Sequence, residues 1–305
     1  MKKIYKLILI LLVIIMTGCA NKKEEKLKIV TVNFPAYDFA RAITKDVKGV
    51  EVEMLLNPGE EVHTYDPSPK DIINIEKSDI FIYTGGESDE WVEKIIKDIK
   101  NTKIIKMMDL VDKKEEEIVE GMENEDNEEI EYDEHVWTSP VNAIKIIENI
   151  TDNIIQKDEK NKEIYENNSE NYINEIKNID SNIRQIVNTS KRKELIFADR
   201  FPARYFTDEY NLKYYAAFKG CAEETEASAK TIAFLIDKVK KDNIPAVFKI
   251  EMSNGKLASQ IAKETNTKVL EFNSAHNITK NEFESGKTYV DIMKDNAKAL
   301  KEALN

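Results

Sequence analysis

The chain is 305 residues long, with 41% hydrophobic and 33% charged residues and a formal net charge of −12. That length and apolar content allow one large domain or two of ordinary size. The acidic balance excludes a nucleic-acid-binding surface, which needs cationic side chains against the phosphates, and it favours a soluble protein that attracts cations.

The first residues form a targeting segment. Residues 1–6 are basic, residues 7–16 are apolar but too few to span a bilayer, and Gly18 directly precedes Cys19. This arrangement resembles a bacterial lipobox, in which the signal is cut before a cysteine that carries a lipid; an ordinary signal peptide with an incidental cysteine is the alternative. We predict a lipoprotein signal peptide over residues 1–18, lipid attachment at Cys19 and a charged tether over residues 19–26.

Strands and helices alternate after the tether. Short β-rich runs with period-two alternation predict strands, and apolar residues spaced by three and four predict helices. The predicted strands are residues 27–32, 50–55, 80–83 and 104–107, and the predicted helices are residues 36–44, 71–77 and 90–99. This alternation indicates a parallel sheet covered by helices.

Residues 112–134 form a strongly acidic segment, with thirteen Asp and Glu side chains against Lys113 and Lys114. Because like charges repel and little apolar surface is available to bury, we expect a mobile, solvated loop. The sequence leaves open whether this loop is an inert insertion or a weak attractor of cations.

A helical region separates this segment from a second alternating part. Residues 141–201 contain no glycine or proline, and we predict one helix over residues 143–156 and a very long one over residues 160–187. The strands predicted after them are residues 194–198, 214–218, 246–250 and 268–272, and the helices are residues 227–240, 255–265 and 288–304.

The predicted fold class is α/β, with two lobes, each a parallel β-sheet flanked by helices, joined by a long rigid helix. We assign residues 27–140 to the first lobe, residues 141–192 to the connecting helices and residues 193–305 to the second lobe. If Cys19 is lipidated, only Cys221 remains, so no intramolecular disulfide is expected.

Only three histidines occur in the chain, His63, His135 and His276, and each lies in a predicted loop. Loops at the carboxyl ends of parallel strands converge in a cleft, the usual place for a site in open α/β sheets. The spacing of these histidines matches no short metal motif such as HExxH. Composition by itself therefore leaves surface, core and ligand roles open.

The segments around His63 and His135 resemble those of the zinc and manganese solute-binding proteins of bacterial ABC importers. The resemblance rests on residues 63–72, 79–91, 133–142 and 288–296, and it covers nearly all of the chain after residue 27. One departure lies in the second histidine loop, where Glu134 stands at a position at which proline is common.

The resemblance implies four metal ligands, the first two being His63 and His135. The third is implied in the loop after the first strand of the second lobe. An ungapped match places Arg200 there, which cannot bind a cation, whereas one extra loop residue places Asp199 there, and Asp199 is the predicted ligand. The fourth falls at His276. Three imidazoles and one carboxylate suit Zn²⁺ in a tetrahedral site, with Mn²⁺ as the alternative.

The resemblance thus implies a receptor, not an enzyme, that captures Zn²⁺ between the lobes and delivers it to an ABC permease. Its lipid would hold it outside the cell membrane as a monomer, with no nucleic-acid partner. Two alternatives from other classes remain at this stage. One is a secreted zinc hydrolase in which three histidines leave an open coordination position and Glu134 or Glu251 acts as base; the other is a surface adhesin.

Overall fold

The structure of the chain is a computed structural model that describes residues 26–122, 131–220 and 226–305. The predicted signal peptide, Cys19 and Cys221 lie outside these residues. Among the helices within these ranges, none combines the length and the apolar character needed to cross a membrane.

The first part of the chain forms a four-stranded parallel sheet. Its strands are β1 (Leu27–Thr31), β2 (Val50–Met54), β3 (Ile80–Tyr83) and β4 (Lys103–Lys106). The helices between them are α1 (Phe34–Ile43), α2 (Pro69–Glu76) and α3 (Glu90–Ile95). The spatial order is β2-β1-β3-β4. The two inner strands are almost wholly buried, as in other parallel sheets that carry helices on both faces.

Two long helices follow, α4 (Pro140–Lys157) and α5 (Lys162–Thr189). The 28 residues of α5 extend over about 42 Å. Its buried isoleucines belong to one continuous apolar core that also contains residues of both sheets. The long helix therefore packs along the two halves of the molecule and does not bridge them through solvent.

The second part repeats the arrangement of the first. Its strands are β5 (Glu194–Arg200), β6 (Lys213–Phe218), β7 (Ala246–Ile250) and β8 (Lys268–Phe272), and all pair in parallel in the order β6-β5-β7-β8. The helices are α6 (Arg204–Glu209), α7 (Ala229–Lys241), α8 (Lys256–Thr265), α9 (Lys280–Glu284) and α10 (Tyr289–Ala303).

The predicted fold class and all eight predicted strands are confirmed. The short helices α6 and α9 were not predicted, since five or six residues are too few for a helical period to show. Helix α7 begins at Ala229 and not at residue 227 because the hydroxyl of Ser228 accepts a hydrogen bond from Thr231 N at 3.1 Å and caps the helix.

The described ends of the acidic segment, residues 112–122 and 131–134, differ from the solvated loop expected of it, and residues 123–130 lie outside the described residues. Its two described ends meet in an antiparallel bridge between Glu115 and Tyr132. They also dock on the second sheet region, where Lys219 pairs with Glu131 at 2.8 Å and the hydroxyl of Tyr205 accepts from Lys114 N at 3.1 Å. Cations and hydroxyl groups from the other half of the chain offset the repulsion that the sequence alone indicates.

A buried carboxylate joins the helices of the two halves. Asp38 on α1 is 1% exposed; it accepts hydrogen bonds from the hydroxyl of Tyr172 on α5, from Tyr289 N at the start of α10 at 2.9 Å, and from Arg41. One acceptor thus satisfies donors of three helices that are far apart in sequence. Burial raises the pKa of Asp38, against the opposing attraction of Arg41.

We predict that Asp38→Ala lowers the free energy of unfolding by about 3 kcal/mol, because it leaves a backbone N–H and a hydroxyl buried without an acceptor. Urea denaturation of the chain from residue 20 measures this. Glu166→Ala, which removes an exposed partner of Lys162 on α5, is the control and should change stability by less than about 0.5 kcal/mol. Equal effects of the two substitutions would contradict the role given to Asp38.

Candidate metal centre

Four side chains that can bind a metal meet between the two sheets: His63, Glu134, His135 and His276. One ligand atom from each lies within 4.8 Å of the others. The imidazole of His63 is 15% exposed, whereas the other three side chains are at most 6% exposed. The four side chains are therefore almost inaccessible to solvent, and solvent reaches the group mainly beside His63.

His63 lies on a single 3₁₀ turn, Val62–Thr64, in the loop between β2 and α2. The start of α2 is fixed by a capping box, in which Ser68 Oγ accepts from Asp71 N while the Asp71 carboxylate accepts from Ser68 N at 2.8 Å. Behind the loop, the ring of Tyr65 meets that of Trp91 edge to face at 5.8 Å. These contacts hold the loop to the first sheet on the side where His63 is placed.

The carboxylate of Glu134 is the anionic part of the group. Its Oε2 accepts hydrogen bonds from Ser88 N at 3.1 Å and Ser88 Oγ at 2.9 Å. Its Oε1 is buried without a hydrogen-bond partner and lies 3.7 Å from His276 Nε2 and 4.0 Å from His63 Nδ1. One oxygen is thus anchored while the other faces two imidazole nitrogens.

Gly86 makes room for this carboxylate. A Cβ at position 86 would lie 2.3 Å from both Cβ and Oε2 of Glu134, which is closer than non-bonded atoms can approach. The backbone of Gly86 has φ −93°, a value that any residue adopts, so the requirement for glycine here comes from Glu134 and not from the turn.

Asp133 orients His135. Its Oδ1 accepts a hydrogen bond from His135 N at 2.8 Å and lies 3.3 Å from His135 Nδ1. A carboxylate on Nδ1 holds the proton there and leaves Nε2 with its lone pair free, the arrangement common to metal-binding histidines. His135 can therefore coordinate a metal ion through the lone pair of Nε2.

His276 is held in the loop after β8 by groups from two other elements. The carboxylate of Glu251 accepts hydrogen bonds from Ser274 N at 2.8 Å and from Ser274 Oγ, and the side-chain oxygen of Asn296 on α10 accepts from Asn273 N at 2.9 Å. Just before His276, Ala275 is buried in the left-handed region at φ 63°. The Nε2 atom of His276 is buried with no hydrogen-bond partner.

Hydrogen bonds tie the three ligand loops to one another. Trp137 Nε1 donates to Ser274 O at 2.7 Å, which links the loop of His135 to that of His276. Asn277 Nδ2 donates to the carbonyls of Asn57 and Glu60, both at 2.9 Å, which links the loop of His276 to that of His63. The ligands from the two halves are therefore positioned as one unit.

The protonation of the imidazoles follows from this enclosure. Burial, reinforced by the neighbouring charges of His135 and Arg200, lowers the pKa of His63 to about 4. Burial, together with repulsion by the neighbouring positive charges, lowers the pKa of His276 well below its ordinary value. Both rings are neutral near pH 7 and present lone pairs.

Glu134 and His135 are shifted in the other direction. Burial raises the pKa of Glu134 to about 7, against the attraction of His135. Burial lowers the pKa of His135, but the charge and hydrogen bond of Asp133 outweigh it, so that the net shift is upward. The metal-free group therefore retains protons that a metal ion would displace.

Asp199 is not brought into this group. Its Oδ1 accepts from Arg200 N at 2.9 Å and its Oδ2 from Ile250 N at 3.4 Å on the neighbouring strand. The register of β5 on β6 shifts between Phe197 and Arg200, and the guanidinium of Arg200 lies 3.4 Å from Glu61 in the loop of His63. His63, His135 and His276 are brought together as the sequence indicates, while Glu134 is the carboxylate among them.

The dimensions and chemistry of the group fit a zinc ion. A tetrahedral site with ligands at about 2.0–2.1 Å has ligand atoms about 3.3 Å apart. The 3.7 Å and 4.0 Å separations around Glu134 Oε1 would close by about 0.4 and 0.7 Å, and the widest separation in the group, at most 4.8 Å, by up to about 1.5 Å. Three neutral imidazoles and one carboxylate are a donor set that Zn²⁺ prefers over Mn²⁺. Such an ion would also satisfy Glu134 Oε1 and His276 Nε2, two buried atoms that face each other without hydrogen-bond partners.

Residues 29–303 match the family described as zinc-uptake complex component A, periplasmic. The chain belongs to this family. It is 35% identical over 292 residues to the high-affinity zinc uptake system protein ZnuA of Bacillus subtilis strain 168, a match that covers 94% of this chain and 90% of that protein.

A second relative and a solved structure agree with this assignment. The chain is 32% identical over 309 residues to the zinc-binding lipoprotein AdcA of Streptococcus pneumoniae strain ATCC BAA-255 / R6, and spans 61% of that protein's length. The crystal structure of the Zn(II)-bound ZnuA-like domain of Streptococcus pneumoniae AdcA superposes with a TM-score of 0.76 at 30% identity, covering 92% of this chain and 99% of that one. The fold is thus that of a zinc-bound relative.

Sequence reasoning noted Glu134 only as a departure from the family pattern and as a base for a hydrolase. The signal that could have found it was a second departure, Arg200, at a position where the family pattern has a ligand. A carboxylate beside His135 together with an arginine at position 200 would keep the number of candidate donors at four. Considered separately, the two departures suggested only an altered third ligand.

We predict that Gly86→Ala weakens Zn²⁺ affinity at least tenfold, because the added methyl group displaces the carboxylate of Glu134. Competition with a chromophoric zinc chelator measures the affinity. Gly286→Ala is the control: its Cβ meets no atom within 4 Å, while its φ of 77° strains an alanine, so it should lower stability and leave zinc affinity within twofold. Unchanged affinity in Gly86→Ala would contradict the placement of Glu134.

Proposed function

We propose that this chain captures Zn²⁺ outside the cytoplasmic membrane and delivers it to the permease of an ABC importer, with His63, Glu134, His135 and His276 as the ligands. The observation that carries the proposal is the pair of buried atoms without partners, Glu134 Oε1 and His276 Nε2, that face each other at 3.7 Å. A divalent cation between them and the two other imidazoles would satisfy both.

Capture and release are the functions that this geometry supports. Members of the family are components of a zinc-uptake complex, which makes the chain a transport receptor that acts outside the cytoplasm with an importer as its partner. In support of a zinc cargo, Bacillus subtilis ZnuA is described as a high-affinity zinc uptake protein. A hydrolase would need an open coordination position for water, and here the carboxylate of Glu134 lies where that position would be.

The attachment to the membrane is proposed on sequence grounds. Lipidation of Cys19 after removal of residues 1–18 would leave a short charged tether before β1, and the relative AdcA carries the description lipoprotein. We propose a monomer with lobes at residues 27–140 and 193–305 and connecting helices at residues 141–192. In support, each half has its own four-stranded sheet and the four candidate ligands come from one chain.

We predict that Glu134→Gln weakens Zn²⁺ binding roughly a hundredfold or more, since it removes the anionic ligand from a buried site. Asp199→Asn is the matched control, because it removes the same charge while its amide oxygen can still accept the hydrogen bond from Arg200 N and only the longer bond from Ile250 N, at 3.4 Å, is lost; it should change affinity less than about threefold. Calorimetry on the chain from residue 20 measures both. A larger loss in Asp199→Asn than in Glu134→Gln would restore Asp199 as the ligand.

Zinc affinity should also depend on pH. The pKa of Glu134 is raised to about 7, so below pH 7 zinc must displace a proton, whereas above pH 7 the carboxylate is already ionised. Affinity should therefore rise at least about tenfold between pH 6 and pH 8, because the raised pKa of His135 adds to the effect of Glu134. Calorimetry in buffers with different ionisation enthalpies should detect about one more proton released at pH 6 than at pH 8.5. The same affinity and the same proton release at both pH values would contradict this assignment.

A further inference from the structure

Arg200 is the last residue of β5, and it reaches from the second half of the molecule to the loop of His63. Its Nη2 lies 3.4 Å from Oε2 of Glu61, which is two residues before His63. The side chain of Arg200 is 19% exposed and that of Glu61 is 43% exposed. Since His63 is the most exposed of the four ligands, this ion pair lies on the side from which solvent reaches the site.

The charge of Arg200 acts on the ligand atoms. Its guanidinium is held beside the loop of His63 by Glu61, two residues before that ligand, at 3.4 Å. A fixed positive charge beside a cation site repels a divalent metal ion, whereas a carboxylate in the same place attracts it. Arg200 and Glu61 therefore have opposite electrostatic effects on a bound cation.

Fold stability offers no comparable reason for the pair. A partly exposed ion pair contributes little to the free energy of folding, about 0–1 kcal/mol, and Asn277 already ties the loop of His63 to the second half through two carbonyls. The larger consequence of an arginine at position 200 is its positive charge beside a cation site.

We propose that Arg200 tunes zinc exchange: paired with Glu61 it covers the entrance to the four-ligand site, and its charge weakens the hold on the ion so that zinc can be released to the permease. This inference rests on the zinc-receptor function proposed above. The carboxylate of Glu61 reduces the repulsion between Arg200 and the zinc ion. Removal of Arg200 should therefore strengthen zinc binding, and removal of Glu61 should weaken it.

The test compares Arg200→Gln, Glu61→Gln and the control Arg204→Gln in the chain from residue 20. Arg204 is a matched control because it is 22% exposed and pairs with Glu117 and Asp208, neither of which belongs to the loop of His63. The probe is Zn²⁺ alone, followed by stopped-flow tryptophan fluorescence. Trp137 is one of the two tryptophans of the chain, and its ring lies 5.0 Å from that of His276.

At low ionic strength we expect Arg200→Gln to associate with zinc roughly five- to tenfold faster and to bind it more tightly, and Glu61→Gln to bind it several-fold more weakly. Arg204→Gln should stay within twofold of the parent. Both differences should shrink in 0.5 M salt, because screening acts on charge and not on packing.

The direction of the two changes separates the possible outcomes. If the pair served only to hold the loops, both substitutions would break the same contact and shift zinc binding in the same direction, which would overturn the inference. Changes no larger than in Arg204→Gln would also overturn it while the receptor function stands. Absence of zinc binding in the parent protein would instead overturn the proposed function itself.

Discussion

The structure depends on one constraint: the carboxylate of Glu134 is buried against three imidazoles, and only one of its two oxygens has hydrogen-bond partners within the protein. Oε2 of Glu134 is anchored by Ser88, and Oε1 faces His63 and His276 without a partner. A buried charged group in this condition is costly unless a cation compensates it. Gly86 makes room for it, and burial raises its pKa. These features are what a high-affinity cation site requires and what a structural core avoids.

The two halves of the molecule are fixed relative to each other, around that carboxylate, by a shared apolar core and by hydrogen bonds. Both sheets have the same strand order, and one apolar core runs through them and α5. Asp38 accepts hydrogen bonds from three helices at one side of this core. Hydrogen bonds from Trp137 and Asn277 link the loops that carry the three histidines. Since the loops are cross-linked by short hydrogen bonds, the geometry favours small adjustments of loops on metal binding over a wide separation of the halves.

Much of this arrangement could be predicted from the sequence, and the remainder could not for identifiable reasons. Strand alternation predicted both sheets, and three isolated loop histidines predicted which residues would converge. Glu134 was missed because it ends a run of acidic residues, in which no local pattern shows that one member turns inward. Asp199 was preferred on chain position, but whether a side chain there faces the cleft or the neighbouring strand depends on the register of β5, which shifts between Phe197 and Arg200. The docked ends of the acidic segment depend on partners about 90 residues away, which no local rule reveals.

The most direct test of the account is an X-ray structure of the zinc-loaded chain with anomalous scattering recorded at the zinc edge. The account predicts one ion within about 2.0–2.2 Å of Glu134 Oε1, the imidazoles of His63 and His276, and Nε2 of His135, with Asp199 still bonded to Ile250 N. An ion held by Asp199, or one bound by the three histidines and water with Glu134 turned away, would contradict it.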